Sequence, residues 1–510
     1  MFGVLLWKEI REHLMTFRFG AALITTFVLV LVSVWVLGDD FIRRRNLHNT
    51  LAESYAESTR EVLVPSQLRP VVQRPPSTLG IFAQGEDEHL GNAVTIRRWE
   101  VPRRADNSLT SNKLLASMPT FDLLTIFVIA LSLFGVLLSY DGFSGERERG
   151  TLRHVCACPT TRGIVFTAKF VAGSVVLIIP FLLSFASGLA ILNFVHGIAF
   201  TGMQWLSIAL MILAGLLYGS LFIAVGLISS ALSNRSSTSL ALALLFWVLG
   251  VVVIPSVGTG LASTVPLEPP QEISRLEQTT SSDIDARARR FWHENNLELS
   301  SEGDSNIGGE TPFWFDGEPQ WLIDHMRYIG FYEALYQQRA DQIWAVANRH
   351  IARKREQFGL GSIFNAVAPA HHLRRALTAL AGTDYAAHAE FMEACRRYRQ
   401  ALLDDFRNKG LFSHNINLFF SRRTMSDMQT LEQYLQRRED RARRHAAGEE
   451  GVYDWNYYWD PLPADYAPPF EYRGGEPDIE NALWPITAIA FLVVLACAIG
   501  FVAFTRYDVR

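Results

Sequence analysis

A charged run extends from Tyr140 to Lys169, YDGFSGERERGTLRHVCACPTTRGIVFTAK. It carries Glu146, Arg147, Glu148, Arg149, Arg153, Arg162 and Lys169, is basic on balance, and is closed by Pro159. Apolar stretches flank it on both sides. A loop of this kind on the cytoplasmic side of a membrane suits a handle that a soluble partner grips.

Covalent chemistry has little to stand on elsewhere. There is no G-x-x-x-x-G-K-[ST], so the chain itself has no phosphate-cradling loop. H-E-x-x-H and G-x-S-x-G are also absent. Cys156 and Cys158 form a Cys-x-Cys pair, but one pair with no His/Cys set nearby reads as reduced thiols, and no metal is expected. The remaining cysteines, Cys395 and Cys497, are scattered, which excludes a disulfide framework. His371-His372 ahead of Arg374-Arg375, and His388 four residues after Asp384, read as structural histidines. Gly382-Thr383-Asp384 reads as a turn that caps a helix from Tyr385.

The chain has 510 residues, 49% hydrophobic and 19% charged, too apolar for an ordinary soluble protein and too charged for a bare membrane bundle. Its net charge of −4 argues against nucleic acid as a partner. Among 47 basic residues only Lys8, Lys113, Lys169, Lys354 and Lys409 are lysine, as in the codon usage of a GC-rich bacterial genome.

The handle needs spans to hold it. A bilayer core about 30 Å thick needs roughly 20 apolar residues in a helix. Six stretches qualify: 20–38, 121–140, 170–192, 205–232, 237–262 and 482–505. Asn193, His196 and Gly197 mark the break between the third and fourth. The loop at 141–163 is the cytoplasmic handle. The short-loop charge rule puts Lys8, Arg11, Arg18, Arg235, Arg506 and Arg510 inside with it, so both termini are expected in the cytoplasm. Arg43, Arg44 and Arg45 fall on the other side, in a long segment where that rule is weak.

Two segments then lie outside. Residues 39–119 read as mixed and loop-rich. Residues 266–481 read as mostly α-helical, with Trp321, Ile323, Met326, Ile329 and Tyr332, and again Phe391, Ala394, Tyr398 and Leu402, at helical spacing. The run Val452 to Tyr472 is rich in Tyr, Trp and Pro. It suits an interfacial belt, a domain floor or a ligand surface. The fold class is therefore an α-helical integral membrane protein of six spans with two extracytoplasmic domains.

Residues 1–19 form an amphipathic elbow helix. Phe2, Leu6, Trp7, Ile10, Leu14 and Phe17 share one side, and Lys8, Glu9, Arg11, Glu12, Thr16 and Arg18 lie opposite. Such a helix lies in the interface plane. Trp7, Ile10, Arg11 and Leu14 are its candidate contact residues. In the handle, Glu146–His154 suits a short helix, Leu152 and Val155 give it an apolar edge, Gly150 allows close backbone approach, and Pro159 ends it.

The run E-R-E-R-G-T-L-R-H-V-x-x-x-P-x-x-R-G-x-x-x-x-x-K resembles the signature of ABC-2 type transporter permeases, through Glu146, Gly150, Thr151, Leu152, Val155, Pro159, Arg162 and Lys169. Ala379 to Tyr385, with Leu462-Pro463 and Pro469-Phe470, resembles the subgroup with a large domain of unknown function before the last span. Cys156-Ala157-Cys158 departs from the usual aliphatic and small residues there.

The resemblance implies a non-catalytic permease subunit in a bacterial cytoplasmic membrane. It would work with an ABC ATPase subunit that binds ATP and Mg, and with a second permease chain, as homodimer or heterodimer. Export is the expected direction. The handle would be the coupling helix, with Glu146, Gly150, Thr151, Leu152, Val155, Pro159 and Arg162 as its ATPase-coupling residues. The chain would hold no cofactor, and the outer domain leaves room for a periplasmic partner. The competing class is a membrane-anchored sensor or scaffold whose outer domain binds a ligand or protein.

Overall fold

A computed structural model describes residues 2–62, 65–85, 90–108, 122–152, 154, 161–262, 264, 270–295, 319–409, 431–449, 462–463, 465–472, 474 and 476–506. Helix α1 is Phe2–Leu14 and α2 is Phe17–Arg60. Helix α3 covers residues 123–139, and the short α4 is Ser144–Glu148. Then follow α5 (Arg162–Val195), α6 (Gly202–Leu232) and α7 (Ser236–Ala262). Helices α8 (Pro270–Glu294), α9 (Pro319–Asn365), α10 (Pro369–Ala381), α11 (Tyr385–Asn408) and α12 (Leu431–Ala446) precede α13 (Ile479–Thr505). Among the described residues, six helical runs are long and apolar enough to cross a membrane: α2, Leu123–Glu148 (α3 with α4), α5, α6, α7 and α13.

Capping residues set many of these boundaries. Thr16 separates α1 from α2, accepting from the Phe19 amide while its own hydroxyl donates to the His13 carbonyl. Asp122 opens α3, with Oδ1 accepting from the Thr125 amide at 2.9 Å and Oδ2 from the Gln84 amide at 3.1 Å. Thr201 and Gln204 make a capping box at the start of α6.

Helix α2 shows why a span can outlast the bilayer. Ala22, Thr26, Val30, Val34, Leu37 and Phe41 are buried against the bundle, and Ile24, Val28, Val32, Trp35 and Val36 are exposed on the opposite stripe. Expected to end at Gly38, the helix instead continues to Arg60. Asp39 and Arg43 pair at 2.7 Å one turn apart there, a pattern that supports a solvated helix. Irregular structure begins only beyond it, with the two-stranded antiparallel pair β1 (Val71–Gln73) and β2 (Ala93–Thr95).

Small residues let α3 and α6 approach closely. A Cβ on Gly226 would stand 2.0 Å from the Ser139 hydroxyl, and one on Gly135 would stand 3.1 Å from the Gly219 carbonyl. Helices α3, α5 and α7 each contain a π-helical turn, at Phe127–Leu131, Ile191–Val195 and Leu249–Val253. In α3 the turn is tied to its neighbours by hydrogen bonds. Tyr218 donates to the Val128 carbonyl at 3.1 Å, and the Trp247 indole donates to the Ser132 hydroxyl at 2.7 Å.

Helix α10 belongs to the domain before the last span, yet it packs inside the bundle, against α6 and α13. Ala370, Leu373, Ala376, Leu377 and Leu380 share one apolar core with the spans. Its first residue reaches the middle of α7: a Cβ on Gly250 would lie 3.6 Å from Pro369 Cδ. Its last carbonyls are met by the segment after α2, Arg74 donating to Gly382 O and Ser77 to Ala381 O, each at 2.5 Å. Gly382 then turns in the left-handed region at φ 64°, and Asp384 caps α11 through the Ala387 amide at 3.0 Å.

Candidate coupling loop at one end of the bundle

The loop between α3 and α5 starts with Phe143, which is fully buried and stacks on Phe504 of α13 at 4.2 Å between ring centroids. The amides of Phe143 and Ser144 both donate to the Ser230 hydroxyl of α6 at 2.9 Å. The five-residue α4 is thereby fixed at its first turn, and its next three side chains point to three different places.

Glu146 turns inward. Lys169 Nζ of α5 lies 2.8 Å from Glu146 Oε1 and 2.9 Å from Glu9 Oε2 of α1. All three side chains are buried. Lys8, half exposed, adds a second positive charge 3.6 Å from Glu9 and 3.9 Å from Glu146. Glu12 also lies 3.4 Å from Lys8, so each buried charge of the group has a partner of opposite sign, which is the condition for keeping charge out of water.

Arg147 donates to the Ser233 carbonyl, to Asn234 Oδ1 at 3.2 Å and to the Ala231 carbonyl at 3.4 Å. These are the carbonyls at the end of α6, where a cation is favoured. Glu148 accepts from the Ser236 amide at 2.9 Å and the Ser236 hydroxyl at 2.8 Å. That amide begins α7, where an anion is favoured. Adjacent residues of opposite charge therefore cap opposite helix ends. Arg149 returns to the Gly145 carbonyl at 3.0 Å and closes the turn.

The tip follows. Gly150 is exposed, adopts φ 72°, and has nothing within 4 Å of the place a Cβ would take. Thr151 is exposed, with its amide and hydroxyl both directed to the Glu146 carbonyl. Leu152 turns inward again and joins the core at 3% exposure. At the far end of the loop, Arg162 donates to the Thr505 carbonyl at 2.8 Å. Val155 and Pro159 lie outside the described residues.

The elbow helix docks through Glu9 and the apolar residues Leu5 and Ile10, with Lys8, Arg11 and Glu12 left exposed. Glu9 is its buried residue, while Trp7 is 68% exposed and Leu14 38% exposed. Ile10 packs against the core and Arg11 is exposed. The junction is latched by Arg18, which pairs with Asp141 at 2.9 Å and donates to the Tyr140 hydroxyl at 2.7 Å. Burial pulls the His13 imidazole below its ordinary value, against the opposing field of Glu9.

Of the candidate residues, Glu146 and Leu152 thus hold the loop to the bundle, and Gly150 and Thr151 form its outward tip. Arg147, Glu148, Glu9 and Ser230 complete the arrangement and were not among the candidates. A signal for them exists in hindsight. Lys169 is the last charge before an uncharged run to Arg235, so a buried partner was needed.

Comparison with known proteins agrees with this architecture. Residues 4–306 match the family described as "ABC-2 family transporter protein", and residues 314–447 match a "Domain of unknown function (DUF3526)". The first match spans more than half of the chain, which belongs to the ABC-2 family of transporter proteins and is a multi-pass membrane protein. The chain is also similar to the "Probable ABC transporter permease protein NosY" of Stutzerimonas stutzeri, 33% identical over 140 residues. That alignment covers 27% of this chain and 48% of the relative, so the chain spans about half the length of the curated relative it matches.

Proposed function

We propose that the chain is the permease subunit of an ATP-driven transporter, paired with a second permease chain and driven by a separate ABC ATPase. The α4 loop is the coupling element, with its exposed tip at Arg149, Gly150 and Thr151 presented to the ATPase. Both termini and this loop lie in the cytoplasm of a bacterial inner membrane, and transport runs outward. The family match favours this reading over a sensor or scaffold.

The observation that carries the proposal is the three-way attachment of Glu146, Arg147 and Glu148 to α1, α5, α6 and α7. A displacement of the tip cannot be absorbed locally, because each side chain passes it to a different helix. Closure of an ATPase pair would therefore reach the spans as a rigid-body push. ATP and Mg would be bound by the ATPase, and this chain would supply no catalytic group.

The test is co-purification of the tagged chain from mild detergent, with cysteine cross-linking from Thr151→Cys. A stoichiometric ATPase bearing the phosphate-binding loop, cross-linked at that position, is the expected result. A folded chain that retains no ATPase under these conditions would reject the proposal.

A further inference from the structure

The end of α9 enters the bundle along α7, starting from the end of α7 remote from α4. Gly361 packs beside Ala262, Asn365 fills the place a Cβ would take on Gly258, and Pro369 lies against Gly250. Gly250 stands near the middle of α7, about 18 Å of helix rise from Ala262. Helix α10 then climbs back beside α6 and α13, until the Ala379 carbonyl accepts from the Asp478 amide at the start of α13. The two limbs make a re-entrant hairpin whose tip, residues 366–368, sits at mid-depth of the spans.

This hairpin carries charge to that depth. His371, Arg374 and Arg375 share one face of α10 by their spacing, opposite the core residues Leu373, Ala376, Leu377 and Leu380. Ser362 of α9 ties the limbs together there, 3.3 Å from His371 Nε2 and accepting from Arg375 at 3.2 Å. Arg374 is exposed, and among the described residues its guanidinium has no hydrogen bond or ion pair. It stands about 8 Å of rise from Pro369, within a hydrocarbon core about 30 Å thick. Its charge reaches Tyr218 in the middle of α6. The charges that act on His371 are Arg375, His372 and Arg374, with no carboxylate among them.

A guanidinium facing lipid chains at this depth is costly. Backbone that leaves the helix there is tolerated only where protein buries it or a water-filled cavity meets it, and Ala366 and Val367 at the tip are exposed. Both observations set this face against water inside the membrane. Resting on the permease reading above, we propose that the α9–α10 hairpin lines the substrate path and that Arg374 and Arg375 hold an anionic oxygen-acid group of the substrate, a phosphate or a carboxylate. Guanidiniums match such groups bidentately. Ser362 and His371 are positioning residues that fix Arg375 for this contact.

The full chain in phosphatidylcholine nanodiscs would be titrated calorimetrically with inorganic pyrophosphate and with citrate, two water-borne probes. Nanodiscs doped with phosphatidic acid would be read by native mass spectrometry for lipid retained on the chain. Saturable binding of at least one probe is expected, weakened about tenfold by Arg374→Gln and by Arg375→Gln, largely kept in Arg374→Lys and unchanged by Lys354→Gln on an exposed part of α9. Binding of pyrophosphate or citrate assigns a water-borne group, and retention of phosphatidic acid alone assigns a lipid headgroup. Arg374 holds no other side chain in place, so its variant keeps the test open if Arg375→Gln misfolds. No saturable binding of pyrophosphate or citrate up to about 1 mM together with no retained phosphatidic acid, or equal affinity in Arg374→Gln, would overturn the proposal. The permease is tested alone, so a chain that keeps its ATPase but binds no probe rejects this site and leaves the permease reading standing.

Discussion

Glu146 and Lys169 meet at 2.8 Å on side chains only 7% and 4% exposed, and they join the loop before α5 to that helix about two turns from its start. Glu9 of α1 completes the contact from the other side. Removing the lysine leaves two carboxylates buried without a partner beyond Lys8. Lys169→Met is therefore expected to destabilise the detergent-solubilised chain by about 3–5 kcal/mol. Adding Glu9→Gln and Glu146→Gln should recover most of that loss, because the uncompensated charge is gone. Thermal unfolding followed by tryptophan fluorescence decides it, and an unchanged Tm for Lys169→Met would refute the buried-cluster account.

Arg147 and Glu148 make a different kind of contact, with helix ends rather than with buried charges. Their loss should leave the fold intact and loosen transmission. In the reconstituted complex, the double variant Arg147→Ala/Glu148→Ala should still bind the ATPase. Stimulation of ATP hydrolysis by the permease should fall about tenfold. Charge-retaining Arg147→Lys and Glu148→Asp should lose less. Full stimulation in the alanine pair would show that these caps carry no signal.

The six spans and the amphipathic α1 were legible because bilayer thickness and helical periodicity leave direct marks on a sequence. Pairing was not. Nothing in FGVLLWKEIREHL says that Glu9 faces protein while Trp7 faces outward, since an amphipathic helix can dock by either side. Helix α10 was hidden for a related reason. Pro369 to Ala381 is too short and, with His371, His372, Arg374 and Arg375, too polar to register as a membrane element. It enters the bundle only because Arg74 and Ser77 satisfy its last carbonyls and Gly250 leaves room for its first proline. The length of α2 was missed because its charged second half reads as a loop until Asp39 and Arg43 are seen one turn apart.

The Arg98–Glu333 pair gives a pH-dependent prediction. Burial holds the Glu333 carboxyl above its ordinary value, and the attraction of Arg98 and the Trp99 hydrogen bond only partly oppose this. A carboxyl whose value is raised in the folded state binds more protons there than when unfolded. Stability then falls as pH rises from the ordinary value of 4.5 through the raised one, and stays lower above it. Glu333→Gln should remove that slope. At neutral pH, Glu333→Gln and Arg98→Met alone should each cost stability, while Glu333→Leu/Arg98→Met should cost less than either. Melting curves of the four proteins between acid and neutral pH would show it, and a wild-type slope retained in Glu333→Gln would assign the effect elsewhere.

Gly150 separates folding from docking. Its φ of 72° disfavours any side chain by about 1–2 kcal/mol, but the open space around it means that nothing in the chain is displaced. The cost is confined to an exposed turn, so Gly150→Asn, which tolerates that conformation, and Gly150→Trp should both fold with Tm near wild type. Their effects on the ATPase should diverge. Asparagine is small enough to leave the tip seated, whereas an indole at the tip occupies the space the ATPase needs. Gly150→Trp should therefore lose co-purifying ATPase or stimulate it several-fold less, while Gly150→Asn retains it. Equal ATPase binding and stimulation in the tryptophan variant would place the docking surface outside this turn.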